Sequence, residues 1–116
     1  MAKAQRYFIT ISDLSAARGD NLELSFDGVS PEHLAKDFEA ALRDPGLWQR
    51  WSRLQDEPDE VDPSTGATDS AATVTASLEA QRVELIVTTN LPHAIVKHRL
   101  DLMIGRNWKL RDVSSA

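Results

Sequence analysis

Apolar and polar positions alternate with a period of two in RYFITIS (6 to 12), where Tyr7, Ile9 and Ile11 set one face against Phe8 and Thr10. Alternation rich in aromatic and β-branched residues predicts a strand. DLSAARGDN (13 to 21) reads as a loop, with Gly19-Asp20-Asn21 as its turn chemistry. LELSF (22 to 26) then places Leu22, Leu24 and Phe26 on one face, which predicts a second strand ended by Asp27-Gly28.

The period changes at Ser30-Pro31-Glu32. Serine can cap a helix, proline fits its first position, and an acidic residue complements the dipole. Leu34, Phe38, Ala41 and Leu42 follow at i, i+4, i+7 and i+8 as one apolar stripe. Asp44-Pro45-Gly46 breaks this helix and can start a second, short one. There Leu47, Trp48, Trp51 and Leu54 cover one side while Arg50 and Arg53 point elsewhere.

Residues 55 to 71, QDEPDEVDPSTGATDSA, are acidic and rich in Pro, Gly, Ser and Thr, and predict a mobile loop. TVTASLEAQRVELIVTT reads as a hairpin turning near Glu79-Ala80-Gln81. A helix opening at Asn90-Leu91-Pro92 carries Ile95, Val96, Leu100, Leu102, Met103 and Ile104 over roughly 200° of its circumference, as expected of a well-buried helix. Arg99 falls inside that apolar arc, where a long side chain snorkels to the rim or meets a carboxylate or ligand. Gly105 stops the helix, and WKLRDV (108 to 113) is a closing strand.

These elements predict an α+β fold: a mostly antiparallel sheet of about five strands with two main helices on one face. From the second strand onward the order is the β-α-β-β-α-β of a ferredoxin-like sandwich, with an extra N-terminal strand. Two tandem β-β-α units, or a ubiquitin-like roll, are the alternatives. Each covers one sheet face and leaves the other to solvent or a partner. With 116 residues the chain is read as a single domain.

Charge sharpens this picture. Residues 55 to 81 hold seven carboxylates and no lysine or arginine, whereas 82 to 116 hold six basic residues against three acidic ones. A bipolar surface with a formal net charge of −5 suits solubility and steering, and disfavours nucleic acid as the partner. The only basic cluster is 97-KHR-99 with Arg106, Lys109 and Arg111, with Trp108 inside it. It supports single-strand binding only as a second alternative. The chain has no cysteine, which excludes disulfides and thiolate metal sites. No apolar run is long enough to span a bilayer or form a signal sequence, so the expected setting is cytoplasmic, without membrane association.

Candidate chemistry is sparse. The Gly-x-Ser-x-Gly elbow, the glycine-rich phosphate loop and the dinucleotide fingerprint are all missing. His33, His93 and His98 have no helical metal-site spacing, and DEPDEVD lacks the alternation of a calcium loop. No cofactor, metal or catalytic residue is expected. A small interaction or regulatory domain acting by protein–protein binding is the leading expectation, and a small-molecule-binding domain the alternative. Trp48, Arg50, Trp51 and Arg53 are the candidate partner-binding residues, since Trp and Arg are enriched at interface anchors. The competing reading makes the tryptophans part of the core. His93, Arg99 and Trp108 are the candidates for holding a ligand or anion. Strands 6 to 12 or 108 to 113, if at an edge, would pair with a partner or a second copy.

Overall fold

The computed structural model describes residues 3–28 and 30–116. Its elements are β1 (Gln5–Ile11), α1 (Pro31–Arg43), α2 (Gly46–Arg53), β2 (Thr73–Glu79), β3 (Arg82–Thr89), α3 (His93–Ile104) and β4 (Lys109–Ser115), with short 3-10 turns between. The four strands form one antiparallel sheet in the order β2-β3-β1-β4. It is a small α+β protein.

Alternation decides which sheet face is covered. Tyr7, Ile9 and Ile11 of β1 and Val83, Leu85 and Val87 of β3 are buried in one cluster with Leu34, Phe38 and Leu42 of α1 and Val96, Leu100 and Ile104 of α3. The period-2 faces of the strands thus meet the helical stripes on a single side. Ser30 caps α1 by accepting the His33 amide (3.1 Å), and Pro31 fills the first helical position. Asp44 ends that helix, and its carboxylate accepts the Gly46 amide (3.1 Å) that begins α2. Gly105 stops α3 at φ +65°, and an added Cβ would lie 2.7 Å from the Arg18 carbonyl oxygen. Both left-handed backbone and close approach therefore require glycine there.

The expectation of five strands is corrected to four among the described residues. Residues 22 to 26 are not a strand. Asn21 accepts the Leu24 and Ser25 amides through its carbonyl and the Glu23 amide through its side chain, so the segment coils locally. Its next amide, on Phe26, donates to Met103 at the end of α3 (2.8 Å) rather than to a neighbouring strand. Leu24 and Phe26 are buried by this turn, while Leu22 is left 89% exposed. The strand taken as an N-terminal extra is instead β1, in the middle of the sheet. The first hairpin required by tandem β-β-α units accordingly does not form.

The hairpin of β2 and β3 is as expected, and its two-residue turn places Ala80 (φ 48°) and Gln81 (φ 74°) in left-handed backbone. Such turns match the twist of antiparallel strands and favour Asn-Gly for that reason. Residues 55 to 71 hold two 3-10 turns, Pro58–Glu60 and Pro63–Gly66, and the second half of the segment is tied to the body. Those ties involve several of the singled-out residues.

Candidate functional site

The C-terminus of α1 leaves carbonyls that need donors. Ala40 receives the Asp44 amide (3.0 Å), Leu42 receives the Asp69 amide (2.8 Å), and Ala41 receives Nη1 of Arg99 (2.9 Å). Arg99 also donates through Nη2 to the carbonyls of Thr65 (3.1 Å) and Ala67 (2.7 Å). Its side chain is wholly buried, and burial pushes its pKa below the ordinary arginine value. The expectation that Arg99 snorkels to a rim or meets a carboxylate is corrected: helix and loop carbonyls converge on it. A cation facing a helix C-terminus is favourable. Its Nε has no partner, which counts against the arrangement.

Asp69 is the second buried charge. Its carboxylate accepts Thr89 Oγ1 (2.8 Å) and the amides of Asn90 (3.0 Å) and Ala71 (3.0 Å). Burial alone would raise its pKa, but those bonds together with Arg43 hold it below the usual aspartate value. Arg99 and Asp69 thus fasten the end of the acidic segment to α1 and β3.

The two tryptophans of α2 divide their roles. Trp48 donates through its indole N–H to Thr65 Oγ1 (2.9 Å) and lies over Gly66, where an added Cβ would come within 2.7 Å of its ring. Trp51 meets His98 edge-on, with ring centroids 4.4 Å apart. His98 is half-buried here, and burial and the Arg99 charge lower its pKa. Arg50 and Arg53 are exposed. Two crevices flank the Trp51–His98 contact, one of about 310 Å³ beside Thr65, Ala94 and Ile95, the other of about 390 Å³ beside Leu24, Leu54 and Leu102.

His93, Arg99 and Trp108 each engage a different neighbour. His93 stacks on Tyr7 at 6.0 Å between centroids, Arg99 holds the carbonyls above, and Trp108 donates to Asp101 Oδ1 (3.0 Å). Neither His93 nor Arg99 lines the crevices beside Trp51. The basic cluster is dispersed in the same way: Arg99 is internal, Lys97 pairs with Asp101 (2.9 Å), and Arg111 pairs with Glu84 (3.1 Å). His33 pairs with Asp37 and packs on Phe26, away from the Tyr7–His93 stack. Among the described residues no group of three or more His, Asp or Glu side chains is arranged to hold a metal, and no helix is long and apolar enough to cross a membrane.

The sheet face opposite the helices is the remaining surface. Register places three rows across it: Thr73, Thr88, Arg6 and Ser114; Thr75, Ile86, Phe8 and Asp112; Ser77, Glu84, Thr10 and Lys109. Phe8 and Ile86 face one another on the two central strands, and Ile86 is 37% exposed. Hydroxyls and charges surround them. Glu84 accepts Thr10 Oγ1 (2.8 Å) and Arg111; burial would raise its pKa, but these partners and Arg82 hold it below the usual value. The sequence did signal this pair. Phe8 and Ile86 are apolar residues in the polar phase of their strands, out of step with Tyr7-Ile9-Ile11 and Val83-Leu85-Val87.

No family model matches the chain, and no curated protein or solved structure matches it either.

Proposed function

We propose that this chain is a small interaction domain that binds a protein partner through the bare face of its sheet. The observation that carries this reading is the Phe8–Ile86 pair, an apolar centre inside a hydroxyl and charged rim on the face opposite the described helices. An apolar anchor ringed by polar groups is the layout of a binding hot spot. With the short α2 counted as an addition after α1, the order strand-helix-strand-strand-helix-strand from Gln5–Ile11 supports reading the fold as a ferredoxin-like sandwich, which has such a face. The dispersal of the basic cluster lends the nucleic-acid alternative less support than the sequence alone did.

The test is affinity capture with three forms: wild type, Phe8→Thr/Ile86→Thr, and Arg50→Glu/Arg53→Glu. Threonine preserves strand propensity, and thermal melts establish that each form folds. The expected result is that partners retained by the wild type are lost from the sheet-face variant and kept by the α2 variant. The reverse pattern would transfer the function to the Trp–Arg helix, and equal retention by all three would remove both surfaces.

A second reading is favoured by the crevice of about 310 Å³ between α2 and α3, walled by Trp51, Ala94, Ile95 and His98. Its size is in the range of small-molecule sites. Quenching of Trp51 fluorescence by an apolar aromatic probe, abolished in Ile95→Glu, is the corresponding measurement.

A further inference from the structure

The two edges of the sheet are not equivalent. On β2, Glu39 of α1 accepts the Val74 amide (3.0 Å), and Nε of Arg43 donates to the Ala72 carbonyl (2.7 Å). Side chains of α1 thus occupy backbone groups where that strand begins. On β4 every residue from Lys109 to Ser115 is exposed, including Leu110 at 37% and Val113 at 38%. A seven-residue edge strand carrying apolar side chains is a template for another strand, and its Val113 amide, which donates to Asp112 Oδ1 (2.9 Å), exchanges that acceptor for the incoming strand's carbonyl.

The residues of β4 also say which strand fits. Ile9 pairs with Leu110 and Phe8 with Asp112, so a bulge falls at Arg111 and brings Leu110 and Val113 to the same, helix-side face. Arg111 reaches Glu84, which sets it on the open face with Asp112. An antiparallel copy of β4 whose two-fold axis passes between residues 111 and 112 puts Arg111 opposite Asp112, Leu110 opposite Val113, and Lys109 opposite Ser114. Opposite charges meet on one face and apolar side chains on the other. Moving the axis by half a step sets Asp112 against Asp112 or Arg111 against Arg111, both repulsive. The strand is self-complementary in one register.

We infer that a second copy of this chain is the occupant of the β4 edge, giving a two-fold dimer with a continuous eight-stranded sheet. This inference is independent of the open-face reading, since the Phe8–Ile86 pair takes no part in it. A strand-edge contact is smaller than a standard stable interface, so the dimer dissociates on dilution.

Sedimentation velocity across a concentration series, from about micromolar to several hundred micromolar, supplies the test. Wild type is expected to rise from 12.9 kDa toward twice that mass. Arg111→Asp alone and Asp112→Arg alone each place like charges across the axis, and each stays monomeric. A one-to-one mixture of the two restores both ion pairs and forms a heterodimer. The register has its own readout, because the native chain has no cysteine. Mixed Lys109→Cys and Ser114→Cys chains should join through an intermolecular disulfide under a mild thiol oxidant, whereas Lys36→Cys with Ser114→Cys should not. Phe8→Thr/Ile86→Thr leaves the association unchanged. A strict monomer across the series overturns the inference, and so does a dimer indifferent to both charge reversals.

Discussion

Arg99 offers the sharpest perturbation. Its guanidinium gives three bonds to the carbonyls of Ala41, Thr65 and Ala67 while the side chain is fully buried. Hydrogen bonds to a charged group contribute about 1.5–3 kcal/mol each, yet removing a buried charge also relieves its desolvation. Two of the three carbonyls lie in the partly buried loop and can rehydrate, whereas the Ala41 carbonyl is buried and left orphaned. Orphaning it costs about 1–3 kcal/mol, and the unfilled volume adds to that. We expect Arg99→Ala to lose about 3–5 kcal/mol, a large share of the roughly 5–15 kcal/mol typical of a domain. At about 4 °C per kcal/mol, the melting temperature falls by roughly 12–20 °C. Arg99→Met refills the volume without donors and should lose less, about 2–3 kcal/mol. The assay is guanidinium unfolding followed by tryptophan fluorescence, with hydrogen exchange at the Asp69 amide as the local probe. That amide, bonded to Leu42, should lose protection in both variants. A loss below about 1 kcal/mol for Arg99→Ala, with Asp69 still protected, would refute the reasoning.

Other consequences follow from the same contacts. Trp48→Phe removes the indole bond to Thr65 and should cost about 1 kcal/mol, whereas Thr65→Val removes that bond and the one its hydroxyl gives to the Asp62 carbonyl and should cost about 1–2 kcal/mol, with the double variant little worse than Thr65→Val, read from a double-mutant cycle. Gly66→Ala drives a methyl into the Trp48 ring and should cost about 1–3 kcal/mol in the same unfolding assay. Ala80→Asn/Gln81→Gly relieves left-handed backbone at the hairpin turn and should raise stability by about 1–2 kcal/mol, seen as a higher melting temperature. Because the folded pKa of Asp69 lies below its unfolded value, its contribution is complete above the ordinary aspartate range and is lost as pH falls through the folded value. Asp69→Asn should therefore flatten the acid limb of a stability–pH curve. His98 acts in the same direction at higher pH: its pKa is lowered in the fold, so stability declines as pH drops below the ordinary histidine range, and His98→Gln should remove that step.

The chain by itself determined the local elements whose period was long or whose punctuation was strong. Ser30-Pro31 with the Leu34-Phe38-Leu42 stripe, the alternation of Tyr7-Ile9-Ile11, and Gly105 all act through neighbours within a few residues, and each produced the expected element. LELSF did not, because five residues of alternation are equally satisfied by a turn that buries Leu24 and Phe26. Whether Phe26 pairs with a strand or with the end of α3 is a long-range matter. The fate of the charges was likewise tertiary. In sequence Arg99 is a charge inside an apolar arc and Asp69 one of seven carboxylates in an acidic stretch, and only the convergence of the α1 C-terminus, the acidic segment and β3 supplies carbonyls for one and donors for the other. The unequal edges of the sheet were equally invisible, since Glu39 and Arg43 reach the start of β2 through helix packing. Spacing along a chain encodes which face of an element is apolar; what meets that face, and which backbone groups stay unpaired, is fixed only when distant segments compete for the same space.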